Sequence, residues 1–549
     1  MACVRRIGEN LRSVGIGVIC VANRRKGQRP FNGRRTLRPR ARLRCLFLLL
    51  PVLFFFCQKC SFALFLLSKK KSLIMQRRNY LKLSALAAAI FPFGKNVAVA
   101  DSRAASKSGS VNFSAQVPVK YDVDVFVAGG GPAGTAAAVA AAENGASVFL
   151  AESLSCFGGM GTSALVPVFM QTTDGINFLP AGFGSRVVKN LKAERSFFGF
   201  AHDIEALKRV YDSLVEKSGA KFSFCTKLTA VDARDGKINH VICSGISGLF
   251  AVKAKVYIDA TGNGDLAYMA GAKYEKGDPN GNMMPGTLCS AWCSIDWDKW
   301  RKERPNVEHQ PQAFKVAEAY KAGVFSFFDP HMTGIERIGD DLGAGNIGHT
   351  FGVDGTDEDS VTKALLHGRK SMKEYKNYYN KYVPGFENAK ITATGSVLGV
   401  RETRRFIGDY VLNIDDYMKR AVFADEIGRY AYPIDIHPSG FKKGELEQHR
   451  KEFDRLYKYA KGESYGIPYR ILTPKGFDNL YTAGRCISAD RLVHGSVRVM
   501  PACFITGQAA GIGAAIAAKK NQSVHKIDVA ELQKKLLDYG AYLPNYKKA

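Results

Sequence analysis

Residues Val123–Glu152 constrain the fold of this 549-residue chain more than any other stretch. Val123, Val125 and Val127 alternate into a short apolar strand that runs into Ala128-Gly129-Gly130-Gly131-Pro132-Ala133-Gly134. An alanine-rich helical stretch follows to Ala142, with Asn144-Gly145 as its stop signal. Ser147–Ala151 reads as a second strand ending in Glu152, an acid 18 residues beyond the last glycine. This order predicts a βαβ unit within an α/β, Rossmann-like fold. Each part suits a dinucleotide. Gly129 permits a tight turn, Gly131 lets backbone N–H groups approach a pyrophosphate, and Gly134 allows close helix–strand packing. Pro132 and Ala133 open the helix, whose unpaired N–H groups favour an anion, and Glu152 is placed to accept from ribose hydroxyls.

A second run, Gly343-Ala344-Gly345-Asn346-Ile347-Gly348, repeats the GxGxxG form. It follows no buried strand and precedes no alanine-rich helix, so it reads as loop and strand in another domain. Two distant segments fit the first unit better. Val256–Ala260 is an apolar strand leading into Thr261-Gly262-Asn263-Gly264-Asp265. Asn479–Thr482 leads into Ala483-Gly484-Arg485, followed by Val497–Ala518, where Met500-Pro501 opens another small-residue helix.

With Gly158-Gly159-Met160-Gly161-Thr162, Gly399–Arg405 and Gly495–Pro501, these segments resemble the FAD-dependent oxidoreductase family of glutathione-reductase-like flavoproteins, distantly akin to the heterodisulfide reductase flavin subunit. The resemblance runs from about Tyr121 to about Lys520. It implies FAD held by Gly129, Gly131, Pro132, Ala133, Gly134 and Glu152. It adds contacts at Gly159, Met160, Thr261, Gly262, Asp265, Gly484, Arg485, Met500 and Pro501. Many relatives carry Asp where this chain has Arg485. The paired cysteines of disulfide reductases and the cysteine clusters of iron–sulfur proteins are missing, so Cys156 reads as a packed thiol and no metal is expected.

The expected architecture is a discontinuous Rossmann-like FAD-binding domain (119–275 and 462–525) with an inserted α+β substrate domain (276–461). A C-terminal helix and tail occupy 526–549. Lys221–Val231, Ile238–Ile242 and Phe250–Ile258, separated by glycine turns, read as a small β-meander. The implied activity is hydride transfer to FAD from a small substrate, anionic or polyol/sugar-like. His494 is the candidate acid/base group. Arg401 and Arg404, with Arg405, are candidates to clamp an anion, although Arg401, Glu402 and Arg405 equally suit an internal ion-pair network. The alternative function is an electron-transfer flavoprotein docking to a membrane or periplasmic redox partner. Without a second working GxGxxG unit, the expected acceptor is a quinone, oxygen or a redox protein.

Charge and targeting depend on the N-terminus. Of the net charge of +28, residues 1–74 supply 17 basic residues against Glu9 alone. From Asp101 onward 57 basic residues face 49 acidic ones, too even a balance to suggest a nucleic-acid partner. Residues 75–100 carry Arg77-Arg78, an apolar stretch from Leu83 and Ala98-Val99-Ala100, resembling a bacterial twin-arginine export signal. The expectation is export through that machinery to the periplasm or beyond, with 101–118 as a linker. Residues 1–74 read as an upstream misread start before Met75, the alternative being a membrane anchor over 46–67.

Overall fold

The computed structural model describes residues 111–546 apart from 306–310, 328, 330–331 and 441–458. The segments read as upstream stretch, export signal and first part of the linker lie outside the described residues.

The glycine-turn unit forms as its pattern requires. Strand β1 (Val119–Ala128) enters helix α1 (Pro132–Glu143), which returns to β2 (Val148–Ala151). α1 stops at Asn144, after which Gly145 takes a φ of +88°. Helix α2 (Ile204–Ser218), capped by the Asp203 carboxylate, leads to β3 (Lys221–Ser223). The meander is β4 (Lys227–Arg234), β5 (Lys237–Gly245) and β6 (Gly248–Asp259). The sheet order is β3-β2-β1-β6-β5-β4. β3, β2, β1 and β6 run parallel, and β6, β5 and β4 alternate in direction.

A second sheet is antiparallel. It contains β7 (Ser290–Cys293), β8 (Met332–Arg337), β9 (Gly343–Ile347) and β10 (Lys390–Thr394), in the order β8-β9-β7-β10. The second GxGxxG run is therefore strand β9. Helix α3 (Glu358–Tyr382) contributes Met372, Tyr375, Tyr378 and Tyr379 to a core shared with Trp292, Ile335 and Ile347.

The chain then returns to the first layer. β11 (Glu426–Tyr430) and β12 (Tyr465–Pro468) pair with each other. β13 (Leu480–Thr482) joins the main sheet parallel to the last residues of β6, beyond the point where β5 leaves it. Helix α4 (Arg491–Val497) precedes α5 (Met500–Lys520), with Pro501 in its first turn, and α6 (Val529–Asp538) closes the chain. Leu412, Ile427, Tyr430, Ile434 and Ile436 share one buried cluster with α1 and α5. These residues fall within 276–461 by sequence but pack with the main sheet's helices. The reason is a tight contact: a Cβ on Gly428 would stand 2.5 Å from the Ile505 side chain.

Helices α1 and α5 pack backbone to backbone. A Cβ on Gly507 would lie 2.2 Å from the Ala133 carbonyl oxygen, and one on Gly511 would lie 2.2 Å from that of Ala137. Both helices are apolar on every side, as fully enclosed helices must be. Among the described residues α5 alone is long and apolar enough to cross a bilayer, yet that apolar stretch is entirely buried in protein. Gly507→Ala should therefore lower stability by on the order of 1–3 kcal/mol through overpacking, read as an earlier urea midpoint at unchanged slope.

Candidate active site

The parallel strands β1, β2, β6 and β13 all end at one edge, and the segments that follow them line a single cavity of about 650 Å³. A crevice beyond the carboxyl ends of parallel strands is where such sheets bind ligands. Gly129 turns the chain out of β1 at a φ of +87°, with no room for a side chain beside Ala260 and Thr261. Gly134 sits hard against the Gly129 carbonyl, where a Cβ would come within 1.7 Å. Gly131 differs, because a Cβ there meets nothing within 4 Å. Its open side is the cavity.

Both long buried helices begin on that cavity without a side-chain cap or an acid in the first turn. Gly131 precedes α1 and Val499 precedes α5. Gly131, Pro132 and Ala133 line the wall at one helix start, and Val499, Met500 and Cys503 line it at the other. The unpaired N–H groups of each first turn give that wall a partial positive charge. Pro501, within α5's first turn, is buried and does not itself reach the cavity wall.

Glu152 ends β2 on the cavity wall and is only 4% exposed. Its carboxylate accepts from the Gly130 N–H at 2.6 Å and the Leu154 N–H at 2.7 Å. Burial nevertheless outweighs these bonds and raises its pKa. At the end of β6, buried Asp259 accepts from Thr261 and from the Ala267 N–H, and burial pushes its carboxyl up to about 6. That bond network shapes the turn through Thr261, Gly262 and Asp265, all on the cavity wall with Gly159 and Met160.

Gly484 and Arg485 follow β13. Gly484, at a φ of +76°, approaches α1 so closely that a Cβ would lie 2.9 Å from that of Ala133. The Arg485 guanidinium is engaged by the protein. It donates to the Gly262 carbonyl at 2.9 Å, the Val400 carbonyl at 2.8 Å and Asn263 Oδ1 at 2.7 Å. Arg485 thus clips three wall segments together and itself lines the cavity.

The same cavity also has a polar lining. Arg401, Tyr432, Asp435, His437 and Arg498 line it, along with the apolar Val168 and Met170. Arg401 donates to the Pro285 carbonyl at 2.8 Å and Thr287 Oγ1 at 2.9 Å. Burial, then the nearby Arg498, bring its pKa down to about 10, leaving it charged at neutral pH. Arg498 donates to Asp435 Oδ2 at 2.9 Å. Burial alone would raise the Asp435 carboxyl, but His437, Arg498 and Arg401 hold it well below the usual range. Behind Asp435 stand His437, His349 and Asp329 in a row.

The candidates outside this wall need correction. His494 does not line the cavity. It is fully buried, its Nε2 lies 2.6 Å from the Arg485 carbonyl, and its Nδ1 has no partner. Burial, reinforced by Arg405 and other guanidiniums, keeps the ring neutral, so it braces the Arg485 loop. Arg404 also stays off the wall. Its guanidinium stacks 3.9 Å from the Tyr268 ring centre and donates to Asp265 at 3.2 Å. Arg405 is an internal ion pair: Glu402 joins it at 3.5 Å and Arg491 at 3.0 Å. The two readings of the arginine cluster thus divide, with Arg401 on the cavity and Arg405 in the network.

These residues fit an FAD, which needs a cradle without side chains at the pyrophosphate and an acid at the end of β2. In Gly131→Val the new side chain meets cavity and not protein, so the variant should fold with wild-type stability and purify without yellow colour. Absorbance of the purified protein checks this, and a stable, fully yellow variant would contradict it.

Residues 124–536 match the family model for FAD-dependent oxidoreductases. No curated protein sequence matches the chain. Among solved structures, a geranylgeranyl bacteriochlorophyll reductase-like protein from Thermoplasma acidophilum is 14% identical, covering 76% of this chain and 82% of its own, with a TM-score of 0.38. The p-nitrophenol 4-monooxygenase of Pseudomonas putida DLL-E4 is 12% identical over 76% of this chain and 84% of its own, at a TM-score of 0.36. The flavin-dependent brominase Bmp2 is 12% identical over 76% and 83%, at 0.35. The match across most of its length places this chain in the FAD-dependent oxidoreductase family, as an enzyme whose cofactor is FAD.

Proposed function

We propose that the enzyme oxidises a small anionic, hydroxyl-bearing substrate, of the hydroxy-acid class, at the Arg401 end of the cavity. The observation that carries this reading is the placement of Arg401. A charged, 7% exposed guanidinium lies on the same cavity wall as the glycines of α1, its orientation fixed by two hydrogen bonds to the protein. Bound FAD supplies the redox centre. Arg401 would bind the anionic group, and Asp435 and His437 would handle a hydroxyl proton. Val168, Met170 and Leu398 add apolar surface to the same cavity. A cavity that continues past the cofactor segments to buried polar groups supports an enzyme with its own substrate over a flavoprotein that only relays electrons.

The same reading gives the electrons to a quinone, oxygen or a redox protein. Its support is that the second GxGxxG run is strand β9 and not a nucleotide turn. Export through the twin-arginine route, with a start at Met75 and a mature end at Asp101, is part of this proposal and rests on sequence alone.

Hydroxy acids should bleach the purified flavoprotein anaerobically, while NADH and NADPH should not within seconds. Arg401→Gln should raise KM for the acid by roughly 10- to 100-fold, the loss of one charge-assisted hydrogen-bonding partner. Equal oxidation of neutral polyols by both proteins would contradict the anionic assignment. For export, N-terminal sequencing of native material should read from Asp101, and peptides from residues 1–74 would contradict the Met75 start.

A further inference from the structure

Four titratable side chains stand in a single row ending on the cavity wall. Asp329 Oδ1 lies 3.0 Å from His349 Nδ1. His349 Nε2 lies 2.9 Å from His437 Nδ1, and His437 Nε2 lies 3.1 Å from Asp435 Oδ1. Asp329 and His349 have no side-chain exposure, whereas His437 and Asp435 line the cavity. Asp329 is further fixed by its Oδ2, which accepts the His349 backbone N–H at 2.6 Å. All four ring nitrogens are thus committed to the row.

Two of the three contacts are hydrogen bonds to ring nitrogens, and the third is an ion pair at 3.1 Å between His437 and Asp435. One proton added to the row passes from Asp329 at one end to Asp435 at the other when each hydrogen crosses its own contact, and no atom leaves the row.

We propose that Asp329, His349, His437 and Asp435 form a proton relay that sets the protonation state of Asp435 on the cavity wall. With the proton at Asp329, the cavity presents a carboxylate able to accept a hydroxyl hydrogen. With the proton at Asp435, the same wall presents a neutral acid and offsets negative charge arriving in the cavity. Among the described residues, the groups facing the row are two arginines and three tyrosines. Arg498 and Arg401 face Asp435 and are cationic, and the Tyr432 and Tyr375 hydroxyls beside its two ends are raised by burial. Tyr320 lies against the Asp329 backbone, its hydroxyl pushed up to about 12 by burial. This role rests on the substrate reading above, but the relay itself rests on the row alone.

The test is nitrogen-15 NMR of histidine-labelled, full-length, FAD-loaded protein, followed from about pH 5 to 8. Asp329→Asn removes the deep carboxylate two side chains away from His437. It should weaken proton binding at His437 about tenfold, a fall of one pH unit in its titration. His202, buried elsewhere against Phe169, should not move. In a His349→Gln background, which breaks the row, Asp329→Asn should have no further effect on His437. If Asp329→Asn does not fold, Asp435→Asn is read in the same way from His349. An unchanged His437 titration, or an equal shift with the row already broken, would overturn the relay. Neither result would touch the hydroxy-acid assay, so the two readings fail separately.

Discussion

The contact between α1 and α5 is the constraint on which the site depends. Gly507 and Gly511 lie one turn apart on α5 and meet Ala133 and Ala137, also one turn apart, on α1. Any larger side chain at these glycines would force the helix axes apart. Axis separation matters here because both helices start on the cavity, and Gly484 wedges into the same contact beside Ala133. The contact also joins segments more than 350 residues apart in the chain. A discontinuous domain is held closed by the fit of two small-residue surfaces more than by any charged pair.

The cavity's chemistry follows from what that closure leaves unpaired. Two uncapped helix starts and a glycine with an open side offer backbone donors on its wall. The Gly399–Arg405 segment adds Arg401 to the same wall. Arg485 ties the two regions through three hydrogen bonds, so the arginine at the expected cofactor position serves the wall's shape. His494, beneath that loop, is neutral for a physical reason: it is fully buried among arginines.

What the sequence made legible was local. The Val123–Glu152 unit is readable because turn, helix and strand are consecutive, and glycine spacing directly encodes backbone geometry. The Pro501 helix start and the Asp528 cap are equally local signals. The proposed proton-handling group is not legible in this way. His494 drew attention by lying in a glycine-rich motif, whereas His437 and His349 lie 88 residues apart and meet only in three dimensions. Their flanking residues show no spacing that marks a site. Arg401, Arg404 and Arg405 are adjacent in sequence, but each takes a different direction, and only tertiary packing decides which one meets the cavity. Arg498 lies within the Gly495–Pro501 motif, but its partner Asp435 is 63 residues away, so spacing alone gives it no role.

The central claim is that one continuous cavity holds FAD along the strand ends and a substrate between the cofactor and Arg401. The most direct measurement is a crystal structure of the FAD-loaded protein soaked with a small hydroxy acid. The account predicts adenosine density beside Glu152, pyrophosphate density over Gly131, and the acid's carboxylate on Arg401. Cofactor density running away from Arg401, or an acid bound only outside this cavity, would contradict it.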